Sequence, residues 1–128
     1  MEKLNGKGKE YNDEGNLKIE GEYLKGKRNG KGNEYYYNGK IKFKGEYLNG
    51  ERNGKGKEYY YYGSLKFEGY YLNGKRNGKG KEYNDEGILI YEGEYLNGKK
   101  WNGKGKEYRY NGNLLYEGEY LNGEKLHK

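Results

Sequence analysis

The sequence predicts an all-β protein, an elongated single antiparallel sheet of five tandem β-hairpins. Three observations carry that expectation. Of 128 residues, 25 are Gly and 19 are Tyr, while Ala and Pro are absent; a Gly-rich, Ala-free chain is a poor helix former. Gly-Glu-Tyr recurs at Gly21, Gly45, Gly93 and Gly118, with Gly69-Tyr70-Tyr71 as a fifth version, at intervals of 24, 24, 24 and 25 residues. A fixed period in this range marks an array of one supersecondary unit. Within each copy, apolar and charged residues alternate with the period of a strand.

The copy from Gly30 to Asn53 defines the unit. Lys31 to Tyr37 leads into Asn38-Gly39, a strong two-residue hairpin signal. Lys40 to Leu48 then alternates, with Ile41, Phe43, Gly45 and Tyr47 on one face and Lys42, Lys44, Glu46 and Leu48 on the other. A longer turn, residues 49–54, leads to the next copy. A two-residue turn at Asn38-Gly39 sets Lys31 opposite Glu46 and Gly32 opposite Gly45. With six residues in the long turn, Lys57 faces Glu46 from the other side and Tyr47 covers Gly56, both favourable cross-strand arrangements.

Five such units give ten strands, with the second of each hairpin near 17–24, 40–48, 64–72, 88–96 and 113–121. At about 4.8 Å per strand the sheet extends roughly 48 Å. Each hairpin then packs only on its neighbours. The row Ile19, Ile41, Leu65, Leu89 and Leu114, the rings beside it, and Tyr23, Tyr47, Tyr71, Tyr95 and Tyr120 are expected on one face. The result is a twisted, grooved rod with an aromatic floor, a single array over residues 1–128. The last strand, with Leu114, Leu115 and Tyr116, offers an apolar edge, so either the array continues further or copies pair through their ends. Lys3, Lys7 and Lys9 protect the first strand.

Composition removes whole classes of function. With no Cys or Thr, one Ser and one His, there is almost no material for a nucleophile system and none for a Cys-based zinc site. No enzyme activity and no cofactor are expected. No metal site is expected either: the acidic turns at Asp13-Glu14 and Asp85-Glu86 fall short of a calcium loop, and His127 reads as a terminal residue without a partner. No apolar run is long enough to cross a bilayer, and the start is charged; the expectation is a cytoplasmic protein.

The net charge of +6 concentrates in the long turns, where Lys27, Arg28, Arg52, Lys55, Lys75, Arg76, Lys79, Lys99 and Lys100 form a basic rim. That rim is a candidate site for phospholipid headgroups or another polyanion, set against a plain solubilising role. Tyr36, Tyr37, Tyr60 and Tyr61 are candidate partner contacts, because Asn12, Asn84 and Arg109 replace Tyr in their column and the fold does not demand it. Trp101, in the one turn with an insertion, and Leu114, Leu115 and Tyr116 are further candidates. Interleaved Lys and aromatics suit single-stranded nucleic acid, but the charge is even and weak and no RNA-binding motif is present.

The glycine and aromatic spacing resembles the MORN repeat family, whose pattern is aromatic-x-Gly-x-aromatic-x-x-Gly-x-x-x-Gly-x-Gly. It stands here as Phe43, Gly45, Tyr47, Gly50, Gly54 and Gly56, and again as Phe67, Gly69, Tyr71, Gly74, Gly78 and Gly80. The extra residue before the aromatic, in Gly63-Ser64-Leu65-Lys66-Phe67, is similar to MORN-variant repeats of about 24 residues. The resemblance implies a non-catalytic scaffold for protein–protein interaction and self-assembly, as dimer or filament. It also implies membrane or cytoskeletal association and, as the alternative, a phospholipid-binding module. No small-molecule substrate is implied.

Overall fold

The computed structural model describes residues 4–126; His127 and Lys3, both singled out above, lie outside them. One antiparallel sheet runs in strict chain order. Its strands are β1 (Gly6–Tyr11), β2 (Leu17–Leu24), β3 (Lys27–Tyr35), β4 (Ile41–Leu48), β5 (Glu51–Tyr59), β6 (Leu65–Leu72), β7 (Lys75–Tyr83), β8 (Leu89–Leu96), β9 (Lys99–Tyr108), β10 (Leu114–Leu121) and β11 (Glu124–Lys125). The expected ten strands are joined by an eleventh, which among the described residues pairs only with Tyr120 and Leu121.

Both turn types differ from the expectation. At the β3–β4 tip, Gly39 takes φ 83° but Asn38 stays out of the left-handed region, and Gly39 N–H donates to the Tyr36 carbonyl. This is a three-residue loop closed by a glycine bulge, not a two-residue turn. The pairing skips Lys42 between Ile41 and Phe43. Loop and bulge offset each other, so Lys31 still faces Glu46 and Gly32 still faces Gly45.

The six-residue turn at 49–54 is instead a two-residue turn. Asn49 and Gly50 have φ 50° and 89°, and Leu48 pairs with Glu51 and Tyr47 with Arg52. The left-handed φ at both central residues marks the hairpin type that matches strand twist. Residues 51–59 are therefore strand, and the two surplus residues form a bulge around Gly54, at φ 97°. The register beyond it shifts. Lys57 pairs with Lys44 rather than with Glu46, and Gly56 with Gly45.

The core is one layer thick. Its buried residues are Ile19, Tyr23, Phe43, Tyr47, Phe67, Tyr71, Tyr91 and Tyr95. Ile19 takes the ring position of the first hairpin and does not share a row with the half-buried Ile41. The rings zigzag across the sheet edge to face: Phe43 meets Tyr47 and Tyr71, Phe67 meets Tyr71 and Tyr95, and Tyr91 meets Tyr95 and Tyr120, at centroid distances of 5.2–5.7 Å. This geometry sets positive ring edges against negative faces.

Beneath the rings runs a column of paired glycines: Gly8, Gly21, Gly32, Gly45, Gly56, Gly69, Gly80 and Gly93. A methyl group on Gly56 would stand 2.6 Å from Phe43 and 2.9 Å from Tyr71, whereas Tyr47 lies over Gly32. The rings thus need the missing side chains, and Gly56 is covered by Phe43 and Tyr71, not by Tyr47.

Candidate functional site

The opposite face of the sheet is a groove of about 1570 Å³. Its floor is the bare backbone of the glycine column, and its walls are the Lys and Glu residues on either side. The aromatic floor expected from the alternation does not exist; the rings line the other face. Gly45 shows why: on its strand the ring residues Phe43 and Tyr47 alternate to one side, and Lys44 and Glu46 to the other.

The groove runs from β1 to β8 and stops there. Its end coincides with the one insertion in the repeat. On β9, Gly93 pairs with Gly103, whereas Gly105 carries the pairing on to Gly118, so the glycine column breaks by two residues. Trp101 lies within β9, half-buried, not in a turn. Its carbonyl accepts from Gly123 N–H at 3.0 Å, and its ring covers Gly123.

The arginines of the proposed basic rim sit on the aromatic face and are committed to the fold. Arg52 Nε donates to Glu34 at 2.9 Å, and its guanidinium lies over the Phe43 ring, 4.1 Å from the centroid. Arg76 repeats this with Glu58 and Phe67 and also donates to Glu82 at 2.9 Å. Arg28 binds Glu10. Lys100 takes the same place in the fourth hairpin, 4.0 Å from Glu82 and over Tyr91 and Tyr120. Each carboxylate also accepts a core hydroxyl: Tyr23 to Glu10, Tyr47 to Glu34, Tyr71 to Glu58 and Tyr95 to Glu82.

The electrostatics follow from this packing. Burial alone raises the Glu34 and Glu58 carboxyls, but hydrogen bonds from arginine and tyrosine outweigh it, and both lie below the usual carboxylate range. Burial, reinforced by the neighbouring carboxylate, pushes Tyr47, Tyr71 and Tyr95 far above the ordinary phenol value.

The remaining rim lysines divide. Lys27, Lys75 and Lys99 are exposed beside the two-residue turns, opposite Leu24, Leu72 and Leu96. Lys55 and Lys79 line the groove instead. No ladder of free arginines is formed.

The tyrosine candidates cluster at the three-residue loops. Tyr36 hydroxyl donates to the Tyr59 carbonyl at 2.5 Å and Tyr60 hydroxyl to the Tyr83 carbonyl at 2.7 Å, fastening each tip to the next hairpin. Tyr37 binds Glu14, and Tyr36 and Tyr61 meet edge to face at 5.2 Å. Leu114 and Leu115 are half exposed at the far end of the sheet. Tyr116 is half-buried, donates to the Leu126 carbonyl at 2.9 Å and carries Lys125 over its ring.

The sequence reading missed the groove lysine Lys44 and the wall residue Tyr70, and set Lys57 opposite Glu46. The signal was present in the column alignment, where Glu20, Glu68, Glu92 and Glu117 stand at the position of Lys44, and Glu22, Glu46, Glu94 and Glu119 at that of Tyr70.

The MORN repeat family profile matches residues 20–41, 43–64, 67–87 and 91–114, well over half of the chain. The chain belongs to the MORN repeat family. Each matched segment takes in most of one ring strand together with all of the strand that follows it. MORN repeats are generally non-catalytic modules associated with protein or membrane interactions. A comparison with curated proteins finds no match. The MORN glycines, read on this sheet, supply both the space under the rings and the floor of the groove.

Proposed function

We propose that this MORN array is a non-catalytic scaffold that docks a segment of a partner polypeptide in the groove on the glycine face. One observation carries the reading: a continuous groove crosses eight strands with bare backbone as its floor and charged side chains as its walls. Bare backbone permits close approach of another chain, and rows of Lys and Glu supply register and specificity more than affinity. The ring face offers no comparable surface, because its polar heads are already paired.

The test is selection of peptides from a random library on the full chain, followed by binding to two variants. Asn33→Trp places an indole on a groove wall; Tyr110→Ala trims an exposed loop tip outside the groove. Loss of binding to Asn33→Trp alone supports the groove. Unchanged binding to Asn33→Trp overturns it.

A second reading, self-assembly, is favoured by the far end of the sheet. Among the described residues β11 pairs with only two residues of β10, beside the exposed Leu114 and Leu115. Light scattering across concentration tests it. A rising mass supports pairing of copies, and a constant monomer mass contradicts it.

A further inference from the structure

We propose that the centre of the groove is a recognition site for a short acidic stretch of a partner polypeptide, formed by Lys44, Lys55 and Lys57 with the Tyr59 hydroxyl. The inference rests on the groove being the docking surface and names the chemistry of what docks.

The walls follow a Lys–Glu rule with three departures, all between β3 and β6. Asn33 stands where the other repeats place Lys, between Glu20 and Lys44, and the other two bring positive charge to the centre. Within the groove, Lys stands opposite Glu in the pairs Lys9–Glu20, Lys31–Glu46, Lys57–Glu68, Lys81–Glu92 and Lys79–Glu94. Lys57, however, also has Lys44 directly opposite on its other side. Like charges directly opposite destabilise a sheet, so this pair does nothing for the fold. The replacement also strands a hydroxyl. Tyr35 donates to Glu20 and Tyr83 to Glu68; Tyr59, at the same point of its repeat, has Lys44 where they have glutamate, and makes no side-chain hydrogen bond among the described residues. The second break lies across the floor. Tyr70 stands where the other hairpins place Glu, opposite Lys55, whose ammonium lies over its ring at 6.0 Å.

These breaks collect the groove's charge in one spot. Eight lysines and six glutamates line it. On β1–β2 and on β7–β8 the signs balance, so the excess of two positive charges belongs wholly to β3–β6. Lysine ammoniums are donors only, and no ion pair to Lys44, Lys55 or Lys57 is formed among the described residues. Lys44 and Lys57 are cross-strand neighbours, and Lys55 and Lys57 flank Gly56. Lys44 and Lys57 stand roughly 5 Å apart across the strands, and Lys55 lies roughly 7–8 Å from each of them. That spacing suits two or three consecutive acidic side chains. A continuous polyanion such as a nucleic acid strand would meet Glu20 and Glu22 on one side and Glu92 and Glu94 on the other. The neutral flanks therefore favour a polypeptide with local acidity.

The experiment titrates the ¹⁵N-labelled full chain with hexaglutamate, hexaserine and a thymidine hexanucleotide, at low and physiological salt. Hexaglutamate is expected to move the Gly45 and Gly56 amides, with hexaserine and the hexanucleotide far weaker. Lys44→Glu restores both the Lys–Glu pairing and an acceptor for Tyr59, so it folds with an undiminished melting temperature. It is expected to weaken hexaglutamate binding by about tenfold or more at low salt. Lys106→Glu, the same charge change outside the groove, should alter it less than about twofold. Equal binding to wild type and Lys44→Glu, equal loss in both variants, or preferential binding of the hexanucleotide overturns the proposal. So does a lack of any shift at the groove glycines. The peptide selection with Asn33→Trp then decides separately whether the groove docks a polypeptide of other chemistry.

Discussion

The guanidinium of Arg52 lies over Phe43, 4.1 Å from the ring centroid, while its Nε binds Glu34 at 2.9 Å. One side chain thus closes the open face of a one-layer core, covering the ring with a cation and neutralising the half-buried carboxylate beside it. Arg76 repeats the arrangement and binds two carboxylates. Arg76→Met keeps the apolar cover but leaves Glu58 and Glu82 without their strongest partner. A loss of about 2–3 kcal/mol is expected, read from urea unfolding. Arg76→Lys should recover only part of it, because an ammonium lacks the planar fork.

Acid should weaken the sheet through the same carboxylates. Glu10, Glu34 and Glu58 all lie below their ordinary value of 4.5 in the folded chain. Depressed folded values mean the folded state holds fewer protons than the unfolded one. Their stabilisation is present in full above about pH 5 and falls as pH drops through the folded values. Urea midpoints measured from pH 7 to pH 3 should decline most steeply below pH 4.5, and Glu58→Gln should flatten that decline.

Alkali acts through the core tyrosines. The raised values of Tyr47, Tyr71 and Tyr95 mean that their contribution is complete below the ordinary phenol value of 10. It disappears as pH rises past that value, because the unfolded chain then ionises first. Absorbance titration of the phenolates should show the core rings Tyr47, Tyr71 and Tyr95 ionising only with loss of the β circular dichroism signal. Smooth titration of all rings with the sheet intact contradicts the packing.

Gly56→Ala isolates the fit between ring and backbone. Its φ is not left-handed, so the substitution carries no backbone strain, and the new methyl would stand 2.6 Å from Phe43. A cost of about 1–3 kcal/mol is expected from overpacking. Gly63→Ala, at φ 109° with only the Lys40 ammonium near, at 4.0 Å from the new methyl, should cost through backbone conformation alone. Combining Gly56→Ala with Phe43→Leu should restore part of the loss, whereas Gly63→Ala combined with Phe43→Leu should show no such rescue.

Much of this architecture was legible in the sequence. The 24-residue period and the ring strands follow from the repeat and the alternation, and the pairing of Lys31 with Glu46 agrees because the longer loop and its bulge offset each other. The register of β4 with β5 did not. In the second hairpin Asn-Gly stands at both ends, and composition does not say which pair adopts two left-handed residues; Asn49-Gly50 does and Asn38-Gly39 does not. The shift of two residues then moved Lys57 from Glu46 to Lys44. It also turned a supposed turn rim into strands whose arginines point to the rings. A bulge is set by a single backbone angle at Gly54, to which charge and hydropathy patterns are blind. The groove was hidden for a related reason: its floor is made of residues with no side chain to read.

The central claim is that the glycine face, and not the ring face or the loop tips, receives a partner chain. Its most direct measurement is amide chemical-shift mapping of a library-selected peptide on the ¹⁵N-labelled full chain. Shifts are expected along the glycine column from Gly21 to Gly93 and to end where the column breaks at β9. Shifts confined to the loop tyrosines, or to β10 beyond that break, would contradict it.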